Sequence, residues 1–196
     1  MKLREIAEIR TGLVLTRKKA TIKYEIQANY KLLTLNNIED NGAFSDEEFE
    51  PFSSNEELSK EYFTQEGDVL IRLSAPYTAV CINQDTADLL VPSYFSIIRL
   101  KNQNYIPEYI TWYLNSDQVK KELTRSQTGT AMSTTNKTVL SSIEIKEIPI
   151  ETQEKIARIR ELHLKELKLL KKLVQEKEKY YKGLTDILIT RNKGEE

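Results

Sequence analysis

The sequence predicts an α+β fold in which a mixed globular domain is followed by a long C-terminal coiled-coil helix. Two observations lead to this prediction. Short runs rich in β-branched and aromatic residues recur before Pro149, separated by Gly, Pro and Asn turn signals. After Pro149 the composition changes to Lys, Glu and Leu without further Pro. We therefore predict a domain over 1–150, a helix over 151–190 and a tail over 191–196.

Five runs in the first domain predict β-strands, because they alternate partly and favour β-branched and aromatic side chains. The predicted strands are 30–35 (YKLLTL), 68–73 (DVLIRL), 78–82 (TAVCI), 94–100 (YFSIIRL) and 143–150 (IEIKEIPI). Glycine and proline mark turns between strands. The turn signals are Asn41-Gly42, Gly67-Asp68, Pro76 and Pro92.

One helical unit interrupts the strands over 106–123, with the sequence IPEYITWYLNSDQVKKEL. Pro107 suits the first position of a helix, where its missing N–H costs nothing. Ser116 is a good N-cap residue, so we expect it to begin a second helix within the unit.

The long helix is predicted from Glu151 to about Thr190, a range whose only glycine is Gly183. Thr152 is a candidate N-cap, but Lys155 stands where a capping box needs Glu or Gln. At about 1.5 Å per residue such a helix spans about 60 Å, roughly twice the diameter of a small domain. We expect it either to project or to find a partner.

Apolar residues repeat every seven positions along this helix, which is the pattern of a coiled-coil seam. One core position holds Leu167, Val174, Tyr181 and Leu188. The other holds Ile156, Leu170 and Leu184, and is interrupted by His163 and Lys177. A row beside the seam holds Ile159, Leu173, Tyr180 and Ile187. We predict pairing with a second long helix, because the stripe is longer than one small domain can cover; the alternative is packing on the chain's own domain.

Size and composition predict a cytoplasmic, soluble protein. A chain of 196 residues buries a core of ordinary size without disulfides or metal. Its single cysteine, Cys81, cannot form an internal disulfide, and secreted chains usually carry more. The N-terminus lacks the apolar segment of a signal peptide, and no apolar run is long enough to cross a membrane.

Charge is unevenly distributed, although the formal net charge is only -1. Residues 2–23 hold seven basic side chains against two acidic ones, whereas residues 39–68 hold eleven acidic side chains against Lys60 alone. A near-neutral total argues mildly against nucleic-acid binding. Segregated charge weakens that objection, because a basic face can still approach phosphates.

The sequence offers little support for an enzyme. His163 is the only histidine and has no cysteine or second histidine at ligand spacing, which argues against zinc. Cys81 lies in an apolar run and is interpreted as a buried structural thiol. The acidic run over 39–68 has no metal-site spacing and is interpreted as a solvated face. No glycine-rich loop for phosphates or for S-adenosylmethionine is present.

The segment 74–77 (SAPY) is faintly similar to the Ser/Asp/Asn-Pro-Pro-Tyr motif of amino-methyltransferases. The first proline of that motif is missing here, and the glycine-rich turn that holds the methyl donor is also missing. We therefore interpret the segment as a turn that ends a strand.

The order of segments resembles one half of a specificity subunit of Type I restriction-modification systems, with one target recognition domain and one helical region. The most specific segment is 127–159, which ends in the Pro-x-x-x-Gln-x-x-Ile pattern of Pro149, Gln153 and Ile156. The other segments that carry the resemblance are 3–12, 30–42, 66–76, 91–100, 105–116 and 180–190.

The resemblance implies a non-catalytic DNA reader that directs methyltransferase (modification) subunits and, in restriction complexes, a nuclease (restriction) subunit. It implies no cofactor in this chain, with S-adenosylmethionine held by the modification subunit. Full specificity subunits resemble two such halves in tandem. We therefore expect two copies to pair through 152–190 and to read a split, palindromic site, since two-fold protein symmetry is mirrored in DNA. The predicted dimerisation residues are Ile156, Ile159, Leu167, Leu170, Leu173, Val174, Tyr181, Leu184 and Leu188.

A polar loop over 128–137 (TGTAMSTTNK) is the main DNA-contacting candidate, because hydroxyls, amides and backbone N–H groups contact phosphates and base edges. Gly129 would let the backbone approach closely. The residues predicted here are Thr128, Thr130, Ser133, Thr134, Thr135, Asn136 and Lys137, with Arg125 adding charge. The N-terminal candidates are Arg17, Lys18, Lys19 and Lys23, and weaker ones are Arg72 and Tyr94. For any single one of these residues a solvated loop or surface position is an equal or better alternative.

A second hypothesis is a truncated assembly or regulatory protein, which binds a modification subunit or another specificity half through its helix but reads no DNA site. The modest net charge and the acidic 39–68 region favour it slightly. A stand-alone enzyme would need a catalytic constellation that the sequence does not offer.

Overall fold

The computed structural model describes residues 1–126 and 135–191. It has two units, Met1–Ala157 and the chain from Arg158 onward, here called the N-terminal unit and the helix unit. The strands are β1 (Ala7–Thr11), β2 (Ala28–Leu32), β3 (Glu50–Ser54), β4 (Val69–Arg72), β5 (Ala79–Cys81) and β6 (Phe95–Leu100). The helices are α1 (Leu3–Ile6), α2 (Pro107–Leu114), α3 (Asp117–Arg125), α4 (Lys137–Ser142) and α5 (Ile150–Arg191). The predicted α+β class and the long C-terminal helix are confirmed.

The N-terminal unit is built on a four-stranded antiparallel sheet with the order β1-β6-β4-β5. Side chains alternate between its two faces: Ile71 and Ile98 join one buried cluster, and Leu70 and Ile97 join another. Because both faces are covered, β4 and β6 read as nearly continuous apolar runs. A second, two-stranded sheet pairs β2 with β3.

The predicted helical unit over 106–123 is confirmed as two helices. Pro107 occupies the first turn of α2, as expected. Ser116 is the N-cap of α3, and its hydroxyl accepts a hydrogen bond from the Val119 N–H. Both boundaries therefore follow from local sequence signals.

The prediction of a strand over 143–150 is wrong. Ile143 and Ile145 are buried, as the alternation suggests. Their backbone groups, however, pair with the first few residues of the chain: the Leu3 N–H donates to the Ile143 carbonyl and the Ile145 N–H donates to the Met1 carbonyl. That partner is too short, so only an isolated bridge forms between Lys2 and Glu144.

The N-cap predicted at Thr152 is also wrong, because α5 already begins at Ile150. The backbone N–H groups of Thr152 and Gln153 donate to the Pro149 carbonyl. Gln153 is 1% exposed, and its side chain bonds the Ile106 N–H and the carbonyls of Asn104 and Ile148. This packing explains why the N-terminal unit extends past the predicted boundary at residue 150.

Two strands were not predicted. In β1, Ala7 and Ile9 are buried, while Glu8 and Arg10 pair with each other on the outer side. The charged residues at every second position lower the apolar content of the segment, so the strand was not predicted although its other face is apolar. The strand β3 lies inside the acidic 39–68 region, where Phe52 is 4% exposed. That region is therefore only partly a solvated face.

The remaining local predictions are mostly confirmed. Gly42 and Gly67 have positive φ angles, as turn glycines do. The 74–77 segment forms a turn in which the Tyr77 N–H donates to the Ser74 carbonyl. Cys81 is half-buried rather than buried, because β5 is an edge strand. No helix in the described part of the chain is long and apolar enough to span a bilayer.

Candidate nucleic-acid interface

The predicted basic residues of the N-terminus lie along the edge of the two-stranded sheet. Arg17 ends a 3₁₀ turn over Leu15–Arg17. The Lys18 carbonyl then accepts hydrogen bonds from the Asn55 N–H at 2.9 Å and the Ser54 hydroxyl at 3.1 Å. Lys19 forms an isolated antiparallel bridge with Ser54. The basic segment is thus fixed to the end of β3 through its backbone.

These basic side chains differ in whether they form ion pairs within the protein. Lys18 Nζ lies 2.5 Å from Glu56 Oε1, so part of its charge is neutralised within the protein. Arg17, Lys19 and Lys23 are exposed, and among the described residues none of them forms an ion pair. The unpaired charge of the segment is therefore concentrated on these three side chains.

A second group of predicted residues meets at one end of the four-stranded sheet. The Leu73 N–H donates to the Tyr94 carbonyl at 2.9 Å, and the Leu73 carbonyl accepts from the Thr135 N–H at 2.6 Å. Arg72 directly precedes Leu73 at the end of β4. The structure thus brings together Arg72, Tyr94 and Thr135, which are far apart in sequence.

Arg72 and Tyr94 are largely enclosed. The Arg72 side chain is 13% exposed, and its guanidinium lies 3.5 Å from the Asp40 carboxylate. Within residues 1–126 and 135–191, Arg72 Nε is buried without a hydrogen-bond partner. Burial raises the pKa of the Tyr94 hydroxyl, and the nearby Glu50 raises it further. The hydroxyl therefore stays protonated and donates to the Leu33 carbonyl at 3.4 Å.

Thr135 and Asn136 have structural positions. Thr135 is 4% exposed, which places its hydroxyl in the core and disagrees with a direct DNA contact. The Asn136 side chain caps α4 by accepting from the backbone N–H groups of Thr138 and Val139 at 2.9 and 3.1 Å. The polar composition of this part of the loop thus serves helix initiation.

Lys137 and Arg125 are exposed at helix ends. Lys137 begins α4 near Glu8, whose pKa is lowered chiefly by Arg10 and slightly by Lys137. Arg125 ends α3, where it lines an open basic groove. The other residues of that groove are Asp117, Lys120, Lys121 and Thr124. Among the predicted residues, Thr128, Gly129, Thr130, Ser133 and Thr134 lie outside the described residues.

Sequence reasoning missed two features of the N-terminal unit. Tyr24, beside Lys23, is 97% exposed. Asp68 is fully buried and accepts two hydrogen bonds of 2.7 Å from Arg99 Nε and Nη2. The neighbouring basic residues could have drawn attention to Tyr24. The Asp68–Arg99 pair joins β6 to the start of β4 and has no local sequence signal.

The predicted dimerisation residues of the helix unit expose their side chains. Leu173 is 55% exposed, Val174 is 58% and Tyr181 is 69%. Leu167 is half-buried. The others are exposed: Ile159, Leu170, Leu184 and Leu188. Ile156 belongs to the N-terminal unit and packs partly against its core, so only part of its side chain is available for another helix.

In the parts of the chain that the structure describes, no group of His, Cys, Asp and Glu side chains is arranged to hold a metal ion. The candidate interface consists of exposed basic and polar side chains. Two enclosed side chains, Arg72 and Tyr94, lie beside it at one end of the four-stranded sheet. Such a surface can bind phosphates and base edges.

Comparisons with known proteins identify a matching family and solved structures with the same fold. A family model described as Type I restriction modification DNA specificity domain matches residues 1–179. Among curated proteins, no sequence matches this chain significantly.

Solved structures share the fold. The HsdS subunit from Thermoanaerobacter tengcongensis has a TM-score of 0.65 and 16% identity, over 88% of this chain and 43% of that chain. A chain from work on complex assembly and conformational transition of the type I R-M system has a TM-score of 0.60 and 17% identity, over 94% and 42%. The type I S subunit from M. genitalium has a TM-score of 0.53 and 13% identity, over 88% and 40%. This chain spans less than half the length of each of these relatives.

Proposed function

The chain belongs to the family of Type I restriction-modification DNA specificity domains, and we propose that two copies of it together read one split DNA site. Each copy supplies one recognition unit and one helix. The pair directs modification subunits, and in restriction complexes a nuclease subunit, to that site. The chain itself performs no catalysis, and S-adenosylmethionine binds to the modification subunit. The recognised site is palindromic, because two identical readers related by a two-fold axis meet identical half-sites.

The exposed apolar row of the helix unit is the observation that carries this proposal. Leu170, Leu173, Val174, Tyr181, Leu184 and Leu188 each expose at least 44% of their surface. Fully burying such a side chain contributes roughly 1.5–3 kcal/mol, so a second long helix has much to gain by covering the row. The solved relatives are more than twice as long as the part this chain matches. A second copy would supply comparable length.

DNA contact is assigned to the basic segment and the polar loop. Arg17, Lys19 and Lys23 hold the unpaired charge, and Lys18 contributes less because of Glu56. Phosphate contacts by Lys and Arg position a protein, and contacts to base edges specify the sequence. Arg125, Lys137 and the polar residues before Thr135 are proposed to complete the surface.

The test is selection from a random DNA duplex pool by the full chain with its modification subunit. We expect enrichment of a palindrome interrupted by a spacer of fixed length. A matched arm uses Lys18→Gln/Lys19→Gln, which should weaken binding at low salt and flatten its salt dependence. Lys165→Gln/Lys172→Gln removes the same charge from the helix and should change neither. Enrichment of a single, asymmetric site would contradict the proposal that two identical copies read one palindromic site.

A second candidate function is an assembly or regulatory protein that binds a modification subunit without reading DNA. The eleven acidic side chains over 39–68 and the net charge of -1 favour it. It predicts that the modification subunit co-purifies with the chain while the random pool shows no enrichment. The same selection experiment therefore separates the two functions.

A further inference from the structure

Residues 21–26, here called the 21–26 tip, leave the edge of the two-stranded sheet as a compact excursion. The Ala20 N–H donates to the Ser53 carbonyl at 3.0 Å, and the Gln27 N–H donates to the Ser54 carbonyl at 2.9 Å. Because these two carbonyls are adjacent on β3, the two ends of the excursion are held close together. The six residues between them must therefore turn outward and back within a short distance.

The 21–26 tip is fastened by its own hydrogen bonds. Glu25 Oε2 accepts from the Thr21 N–H at 3.1 Å and from the Thr21 hydroxyl at 2.8 Å, and the Glu25 N–H donates to the Ile22 carbonyl. The same hydrogen bonds from Thr21 lower the pKa of Glu25. The tip is thus pre-organised before it meets a partner, which reduces the entropy lost on binding.

This fastened segment presents apolar side chains to water. Tyr24 is 97% exposed, Ile22 is 57% exposed and Ile26 is 38% exposed. A cluster of this kind on an ordered tip is a candidate interaction site. Tyrosine is well suited to such a site, because its ring offers a large contact area with few rotatable bonds.

The surrounding basic side chains favour duplex DNA as the partner. Lys23 lies next to Tyr24 within the tip, and Arg17 and Lys19 lie at its base. Basic side chains beside an exposed aromatic ring match a polyanion whose flat bases lie behind its phosphates. Proteins that bend DNA insert apolar wedges between base steps, while neighbouring basic groups hold the backbone.

We propose that Tyr24 is an aromatic wedge that enters a groove of the DNA and partly unstacks one base step, while Lys23 holds the adjacent phosphate. This inference rests on the proposed DNA-binding function and adds a residue and a distortion to it. Unstacking a step would also make the affinity depend on how easily that step deforms, which is a route to specificity without hydrogen bonds to bases.

The experiment uses the full chain with a random-sequence duplex pool in which 2-aminopurine replaces part of the adenine. Fluorescence of 2-aminopurine rises when the base unstacks. We expect a rise with the wild-type chain and with Tyr24→Phe, and none with Tyr24→Ala. We expect Tyr24→Ala to bind about tenfold more weakly with an unchanged salt slope, because stacking involves no counterion release. Lys23→Gln should instead reduce the salt slope by about one.

Two other outcomes overturn the inference in distinguishable ways. If Tyr24→Ala binds DNA and raises the fluorescence as the wild type does, the wedge is excluded while the proposed function stands. Loss of modification-subunit binding in that variant would then assign the tip to a protein partner. If the wild-type chain binds no DNA in any arm, even with its modification subunit added, the proposed function fails as well.

Discussion

The two units of this chain use the same kinds of apolar residues in opposite ways. In the N-terminal unit Phe95 and Ile98 are fully buried and Tyr109 is 1% exposed. In the helix unit Leu173 is 55% exposed and Tyr181 is 69% exposed. The first unit packs most of its apolar side chains into its own core and exposes only a few, such as Tyr24, whereas the second displays a regular apolar row. The contrast fits the proposal that the first unit is stabilised by its own core and that the second associates with another long helix.

The largest expected effect concerns solution mass, measured by light scattering. The wild-type chain should be a dimer, and Leu173→Lys/Tyr181→Lys should be a monomer, because the variant places one charge in the seam and one in the row beside it, both of which a second helix would bury. The control, Gln175→Lys/Glu176→Gln, makes the same change in net charge outside the apolar row and should stay dimeric. A wild-type monomer would mean that the row is covered by another protein, such as a modification subunit.

Deletion of the helix unit tests the same difference between the two units, provided that the deletion begins after Ala157. Removal of residues 152–190 would also remove Gln153, which belongs to the N-terminal unit. Ending the chain at Ala157 keeps Gln153 and its three hydrogen bonds. This shorter chain should keep its fold and lose only its ability to dimerise.

Alanine substitutions at Gly12, in the N-terminal unit, and at Gly183, in the helix unit, test how tightly each unit is packed. A Cβ atom added at Gly12 would lie 2.3 Å from the Pro92 carbonyl oxygen and 2.4 Å from that of Val91, whereas nothing lies within 4 Å of one added at Gly183. We expect Gly12→Ala to lower the free energy of unfolding by about 3 kcal/mol, as overpacking does. Gly183→Ala should stabilise the helix by about 0.5–1 kcal/mol. Urea unfolding measures both, and a tolerated Gly12→Ala would show that this close contact relaxes easily.

The sequence predicted elements whose signals are local. Pro107 and Ser116 mark the starts of α2 and α3, and the change in composition after Pro149 marks α5. It failed where an element depends on a distant partner. The run 143–150 alternates like a strand, but it meets only the first few residues of the chain. The strand β1 was missed because its outward side chains are charged.

The candidate site was predictable to the same limited degree. The basic segment could be found because charge clustering is visible in sequence, but the pairing of Lys18 with Glu56 could not. Thr135 looks like a loop residue, and only the packing against Leu73 places it in the core. Ile22, Tyr24 and Ile26 alternate with polar residues, which is the pattern of a strand with one buried face. Only the tertiary structure shows that these three side chains are exposed.

Gln153 tests where the N-terminal unit ends along α5. We expect Gln153→Ala to lower the free energy of unfolding by about 2 kcal/mol, because it leaves the Ile106 N–H and two carbonyls without their partner. Gln175→Ala is the matched control, since Gln175 is an exposed glutamine on the same helix. Thermal unfolding compares the two variants. Equal melting temperatures would move the boundary of the N-terminal unit back toward Ile150.

The smallest expected effect is a difference between tyrosines at alkaline pH. Burial raises the pKa of Tyr109 from 10.0 to about 12, and Tyr113 and Tyr105 add to the effect. Because the pKa of Tyr109 is higher in the folded state than in the unfolded state, the unfolded state loses this proton at a lower pH. The contribution of Tyr109 to stability is therefore complete below pH 10 and is lost as the pH rises toward 12.

Unfolding measured across this pH range should accordingly become easier with rising pH, and Tyr109→Phe should make the dependence shallower. At neutral pH the same variant loses the 2.7 Å hydrogen bond to the Lys146 carbonyl and should cost about 1 kcal/mol. Tyr24→Phe should alter neither quantity, because Tyr24 is 97% exposed and lies outside the apolar row of the helix unit. An equal flattening by both variants would break the contrast between buried and exposed aromatic side chains.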